Sequence, residues 1–161
     1  MSAGTYVVAD EPGPSGLRGL VVSPSVPLLA AMLCGGWLTW PWFIVNALAL
    51  AGPTRRKEIV LALAAIAGTV VLALVALALV DAGVIATDTT ARLAVLVLTG
   101  WKLGMAYTVS ALQGRTFHLY RYYHGVVRNP RAVLIAGLLL RPVVMDLFDD
   151  RLWRIIVMWG V

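Results

Sequence analysis

Lys102 is the residue most in need of a chemical reason. It lies about ten residues, or roughly 15 Å, into an apolar stretch that starts near Arg92 and continues to about Leu112. A cation at that depth is costly, so it marks either a functional site or a structural ion pair. Arg141 has a similar depth in a later apolar segment, and two neighbouring cations would attract an anionic solute in a low dielectric. The structural alternative pairs Lys102 with Asp146, or lets its flexible stem reach water.

A second candidate is the acidic string Asp146, Asp149 and Asp150, whose i, i+3, i+4 spacing puts all three on one face of a continuous helix. Such a face could hold Mg²⁺ against a diphosphate, as acid-rich motifs of prenyl-transfer enzymes do. No second motif of this kind is present, and Asp149 or Asp150 equally suits a helix cap with Arg154 as a surface partner. His118 and His124 are six residues apart, so they point to different sides of a helix and make a poor metal pair. Cys34 is the only cysteine, which excludes an intrachain disulfide and a Cys-based metal cluster and reads as a buried thiol. No nucleophile elbow, P-loop, zincin helix or dinucleotide fingerprint appears. No catalytic residue, resident metal or cofactor is therefore assigned.

These groups must be positioned by apolar helices. Ile59 to Val80 is unbroken by charge, long enough at about 1.5 Å per residue to cross the roughly 30 Å core of a bilayer. With 60% hydrophobic and 13% charged residues, the whole chain reads as an all-α membrane protein, a bundle of three to four transmembrane helices. Residues 1–27, rich in Pro and Gly, read as a flexible tail, 28–148 as the bundle and 149–161 as an amphipathic interfacial helix. The first span is expected over 28–51 with a kink at Pro41, the second over 59–80, the third over 92–112. Residues 132–148 are a balanced case. Their apolar side chains favour insertion by roughly 5 kcal/mol at best, while Arg141 alone opposes it by about 2.5–3.5 kcal/mol. That segment is either a fourth span or a re-entrant or surface helix.

Within the third span, Gly100 and Gly104 have GxxxG spacing, continued by Thr108. This small face is expected to pack on Ala65, Thr69 and Ala73 of the second span, or on a second copy of the chain. Beyond Leu112 the helix should leave the membrane and carry Arg115, His118, Arg121, Tyr122 and His124, with Phe117, Tyr120 and Tyr123, as a lipid-headgroup or partner surface ending at Gly125.

The net charge of +5 does not indicate nucleic-acid binding, because the basic residues are concentrated in two short connections and no folded basic module exists. Arg55, Arg56 and Lys57 mark the first connection, and Arg115, Arg121, Arg128 and Arg131 the third, against Asp81 and Asp88 in the second. The positive-inside rule puts the first and third in the cytoplasm and the N-terminus outside. The prevalence of Arg over Lys, with abundant Ala, Val, Leu and Gly, associates the chain with a bacterial inner membrane.

Gly35-Gly36, Pro41, Asn46, Gly52-Pro53-Thr54-Arg55-Arg56, Gln113-Gly114 and Gly125 together resemble a group of small uncharacterised bacterial polytopic membrane proteins. That group similarly places an Asn-bearing first helix before a Gly-Arg-rich cytoplasmic turn. The chain departs from it at Trp40-Pro41-Trp42, where a smaller, Gly-rich stretch would be expected. The resemblance implies a membrane bundle and transfers no site. Expected partners are membrane lipids and another membrane protein or a homo-oligomer. The leading expectation is a non-catalytic accessory or assembly subunit, its rival an oligomeric transporter or channel for an anionic solute.

Overall fold

Gly35 decides the course of the first apolar segment. In the computed structural model, which describes residues 16–123, 125–148 and 151–157, its φ is +98°, a conformation that L side chains rarely adopt. The main chain of Val157 also occupies the space a Cβ would need. The segment therefore forms two helices, α1 (Ser25–Leu33) and α2 (Gly36–Leu50), in place of the expected single helix over 28–51. Pro41 lies inside α2, so the break falls at the glycine and not at the proline.

The two helices run antiparallel. At the start of α1, the Val22 N–H donates to Asn46 Oδ1 near the end of α2 (3.0 Å), and Val21 packs beside Ala49 and Leu50. At about 13 and 22 Å, α1 and α2 make a short hairpin that enters and leaves at one end of the molecule. Val21 and Val22 are buried, and the Val21 carbonyl accepts from the Arg128 N–H. The latter part of the expected 1–27 tail is thus tied into the core, while residues 1–15 lie outside the described residues.

α3 (Arg55–Asp81) and α4 (Asp88–Tyr122) form a longer hairpin. Thr87 and Thr90 close a reciprocal capping box at the start of α4, and Gly83 supplies the positive φ of the connecting turn. α3 turns Ala62, Ala65, Thr69 and Ala73 inward, and α4 turns Leu98, Lys102, Ala106 and Val109 inward. Small side chains let the helices approach closely, and Trp40 and Phe43 of α2 complete the cluster. As expected, α4 continues past Leu112 without a break. Its Phe117 and Tyr120, however, are buried with Val21, Ala49 and Leu50. The Tyr120 ring leaves no room for a Cβ on Gly125.

α5 (Arg131–Met145) spans about 22 Å, and α6 (Arg151–Val157) folds back against α3, α2 and α5. On α6, Leu152, Ile155 and Ile156 are half-buried while Arg151 and Arg154 are exposed, the two faces the pattern predicts. Every regular element among the described residues is helical. Among the described residues, two helices, α3 and α4, are long and apolar enough to cross a membrane. The expected first and fourth spans fall short of that length, the first because Gly35 divides it and the other because the helix ends at Met145.

Candidate functional site

Buried polar groups meet at two heights of the bundle. The lower set lies where the end of α2, the start of α3 and the latter half of α4 converge. Asn46 Nδ2 donates to Gln113 Oε1 (2.9 Å), and Gln113 Nε2 donates to the Phe43 carbonyl (2.8 Å). The Gln113 side chain also hydrogen-bonds to Glu58, whose Oε1 accepts from Thr54 Oγ1 (2.5 Å). Asn46 and Gln113 are fully buried and Glu58 is 2% exposed. The four side chains thus join four chain segments, counting the Val22 N–H that closes on Asn46. Nearby, Gly52 admits the Thr116 side chain where a Cβ would clash. Glu58 also sits in the first turn of α3, where the helix dipole favours a negative group.

Sequence spacing alone does not assemble this cluster. Asn46 and Gln113 stand out in the sequence only as resemblance positions, and Glu58 is simply the residue before the apolar run that starts at Ile59. The available signal was a lone amide in each of two apolar helices, which hydrocarbon or a dry core tolerates only when paired.

The upper set lies at mid-height and contains the buried Lys102 and the half-buried Arg141. Lys102 is 2% exposed, and its Nζ donates to the Ile155 carbonyl of α6 (2.6 Å). Arg141 Nη1 donates to the Leu33 carbonyl at the end of α1 (3.4 Å). Each cation thereby serves a main-chain carbonyl of a short helix, and Leu33 is the last residue of α1, the end where the dipole is negative and carbonyls lack helical partners. The expected Lys102–Asp146 pairing does not form. Asp146 is exposed at the C-cap of α5, and Lys102 reaches the main chain of α6 instead. The broken-helix junction beside them is closely satisfied. Thr39 Oγ1 donates to the Gly35 carbonyl (2.9 Å) and Trp37 Nε1 to the Cys34 carbonyl (2.8 Å). Cys34 is buried and its Sγ faces the Leu134 carbonyl at 3.7 Å.

Above Lys102 lies a cavity of about 400 Å³ between the α3–α4 hairpin, the end of α5 and α6. Its walls are formed by residues such as Leu77, Val80, Ala94 and Leu98, with Lys102 and Arg154 as its cations. No carboxylate lines it among the described residues.

The other expected sites are dispersed. Gly100 and Gly104 are exposed, with open space where a Cβ would stand, and Thr108 donates to its own helix at the Gly104 carbonyl. Intramolecular packing through that face is overturned, because the α3–α4 contact uses the opposite face of α4, the one carrying Lys102. On the α3 side, Ala65, Thr69 and Ala73 are buried as expected. Close approach comes instead at Gly68, where the Trp101 ring fills the space of a side chain and its Nε1 donates to the Ala65 carbonyl (3.3 Å). Arg115, His118, Arg121 and Tyr122 are exposed on the last turns of α4, while His124 lies outside the described residues. Asp149 and Asp150 also lie outside them. Among the described residues, no three His, Cys, Asp or Glu side chains are grouped as a metal site would need.

Compared with known proteins, the chain matches no family model, no curated protein and no solved structure.

Proposed function

We propose that this chain is an integral membrane protein serving as a non-catalytic accessory or assembly subunit of a bacterial inner-membrane complex. The membrane reading is supported by the outer surface of α3 and α4. Their most apolar windows have mean hydropathy 2.8 and 1.3, yet only 22% of each is buried. The core helix of a soluble domain would be mostly covered. Hydrocarbon is the solvent that suits the rest.

The basic residues support a topology in which the end holding Arg55, Arg56, Lys57 and the Arg115–Arg131 stretch is cytoplasmic. On that reading α3 and α4 cross, α1–α2 is a re-entrant hairpin, and α5–α6 enters part way. The chain at Val21 and Val22 then approaches from the cytoplasmic side, and no longer from outside.

The observation that carries the subunit reading is exposed charge at mid-height. Asp146 and Arg151 are exposed on the α5–α6 shoulder, although Ile155 of the same short helix as Arg151 touches the buried Lys102. Above this shoulder α3 and α4 present apolar surface, including Val75, Leu79, Leu93 and Val97. Lipid chains do not solvate such charges, which supports a protein surface there that supplies counter-charges or encloses water. Purification in mild detergent should recover an oligomer or a co-purifying membrane protein, and a cysteine replacing Arg151 should cross-link to it. A monodisperse monomer with no such cross-link overturns the proposal.

The rival reading, an oligomeric transporter or channel for an anionic solute, draws on Lys102 and Arg141. Lys102→Met separates the two. Lost anion flux in liposomes with unchanged stability favours transport, and lost stability without flux favours the structural role that its bond to α6 supports.

A further inference from the structure

The cavity above Lys102 has a shape and a polarity that select a ligand. It runs along α4 from Ala91 to Lys102, about 16 Å, and it also reaches Ile85 in the turn between α3 and α4. A volume of about 400 Å³ along that length accommodates an alkyl chain. Only Thr99, Lys102 and Arg154 among its described lining residues are not apolar. The two cations lie together at one end, since Arg154 precedes the Ile155 whose carbonyl holds Lys102.

We infer that this slot binds a fatty acid, with its chain lying between α3 and α4 and its carboxylate against Arg154. The positive potential of Lys102 at the floor adds to the attraction. A single chain fits that volume, and a carboxylate is compact enough to enter beside a lysine that is 2% exposed. Arg154 is exposed on the charged shoulder, so the head group lies where other polar groups already stand. An apolar wall with a few convergent polar groups is the usual build of a small-molecule site, and volumes of roughly 300–1,000 Å³ are typical. Arg offers a carboxylate a planar pair of donors.

The test uses the full chain in maltoside micelles and 2-bromododecanoate, whose bromine stands beside the carboxylate and quenches tryptophan by contact. Trp101 adjoins Lys102 and Trp153 adjoins Arg154 in sequence, so occupancy is read by fluorescence. Micelle partitioning alone yields quenching that rises without saturating. The expected result is saturable quenching, displaced by dodecanoate at concentrations at least tenfold below those needed with dodecanol. Arg154→Gln should weaken binding about tenfold, as loss of a charge-assisted hydrogen bond does. Ala94→Phe and Ala76→Phe, which fill the slot from opposite walls, should each abolish the saturable phase while the helical signal is kept. Should either filled variant fail to fold, the other decides; should both fail, the comparison of acid and alcohol on the unaltered chain decides. Equal displacement by acid and alcohol, saturable quenching that survives a folded filled variant, or displacement by a diacyl anionic lipid as effective as by dodecanoate overturns the inference. The measurement needs no partner protein, so its failure leaves the subunit proposal untouched.

Discussion

At the scale of single residues, the chain uses its few buried polar side chains to join segments. Gln113 shows this most directly, because its amide serves Asn46, the Phe43 carbonyl and Glu58 at once. Gln113→Ala leaves Asn46 Nδ2 and a carboxyl without that partner in a dry site, and should cost about 2–3 kcal/mol. Thermal unfolding followed by the helical circular dichroism signal in detergent would measure it. Glu58→Gln keeps the shape and an acceptor for Thr54, so its loss should be under about 1 kcal/mol by the same assay. A larger effect would show that the carboxylate's charge is needed. Lys102→Met removes the donor held on the Ile155 carbonyl and should loosen α6 before the rest of the bundle. Faster amide exchange confined to residues 151–157 is the expected signature.

At the scale of elements, glycines separate into those that shape the fold and those that do not. Gly35→Ala meets both a disfavoured φ of +98° and the main chain of Val157, and should cost about 2–3 kcal/mol. Gly100→Ala and Gly104→Ala meet open space on an exposed helix face and should each stabilise α4 by up to about 1 kcal/mol. Chemical denaturation of the three variants side by side tests the contrast. A loss of oligomer with the Gly100 and Gly104 changes would assign their face to a second copy of the chain. The hairpin of α1 and α2 carries a topological prediction as well. In a Cys34→Ala background, single cysteines at Gly16, Thr54 and Asn129 should label from one side of the membrane and one at Thr89 from the other. Labelling of Gly16 with Thr89 would restore a full first crossing and dismiss the hairpin.

At the scale of the whole molecule, the surface is divided between an apolar hairpin and a charged shoulder, and the proposed assembly rests on that division. α3 and α4 stand above the shoulder built by α5 and α6, with apolar side chains on the hairpin and charges on the shoulder. On the proposed reading, covering that step with a second surface would bury apolar area and shield Asp146 and Arg151 from hydrocarbon. Arg151→Glu should therefore weaken assembly while leaving the monomer's unfolding within about 0.5 kcal/mol, because exposed sites contribute little to folding. Size-exclusion chromatography with light scattering, run beside a melt, separates the two effects.

How much of this was legible beforehand follows from the range of the forces involved. Composition and unbroken apolar runs determine helices, their approximate ends, and the two long candidates for crossing a membrane, because backbone satisfaction and hydrophobicity act within one segment. The small face of Ala65, Thr69 and Ala73 was readable for the same reason: helical spacing alone places it. Tertiary structure decided whether a segment runs on or turns back. A Gly-Gly pair permits either course, and Gly35 became a break only because Val157 and the neighbouring helices close around it. It also decided partners. Lys102 stands about 200° from the Gly100–Gly104 face, and spacing fixes that separation but not which face meets α3. Asn46, Glu58 and Gln113 lie far apart in sequence, and only the packing of α2, α3 and α4 makes them one site.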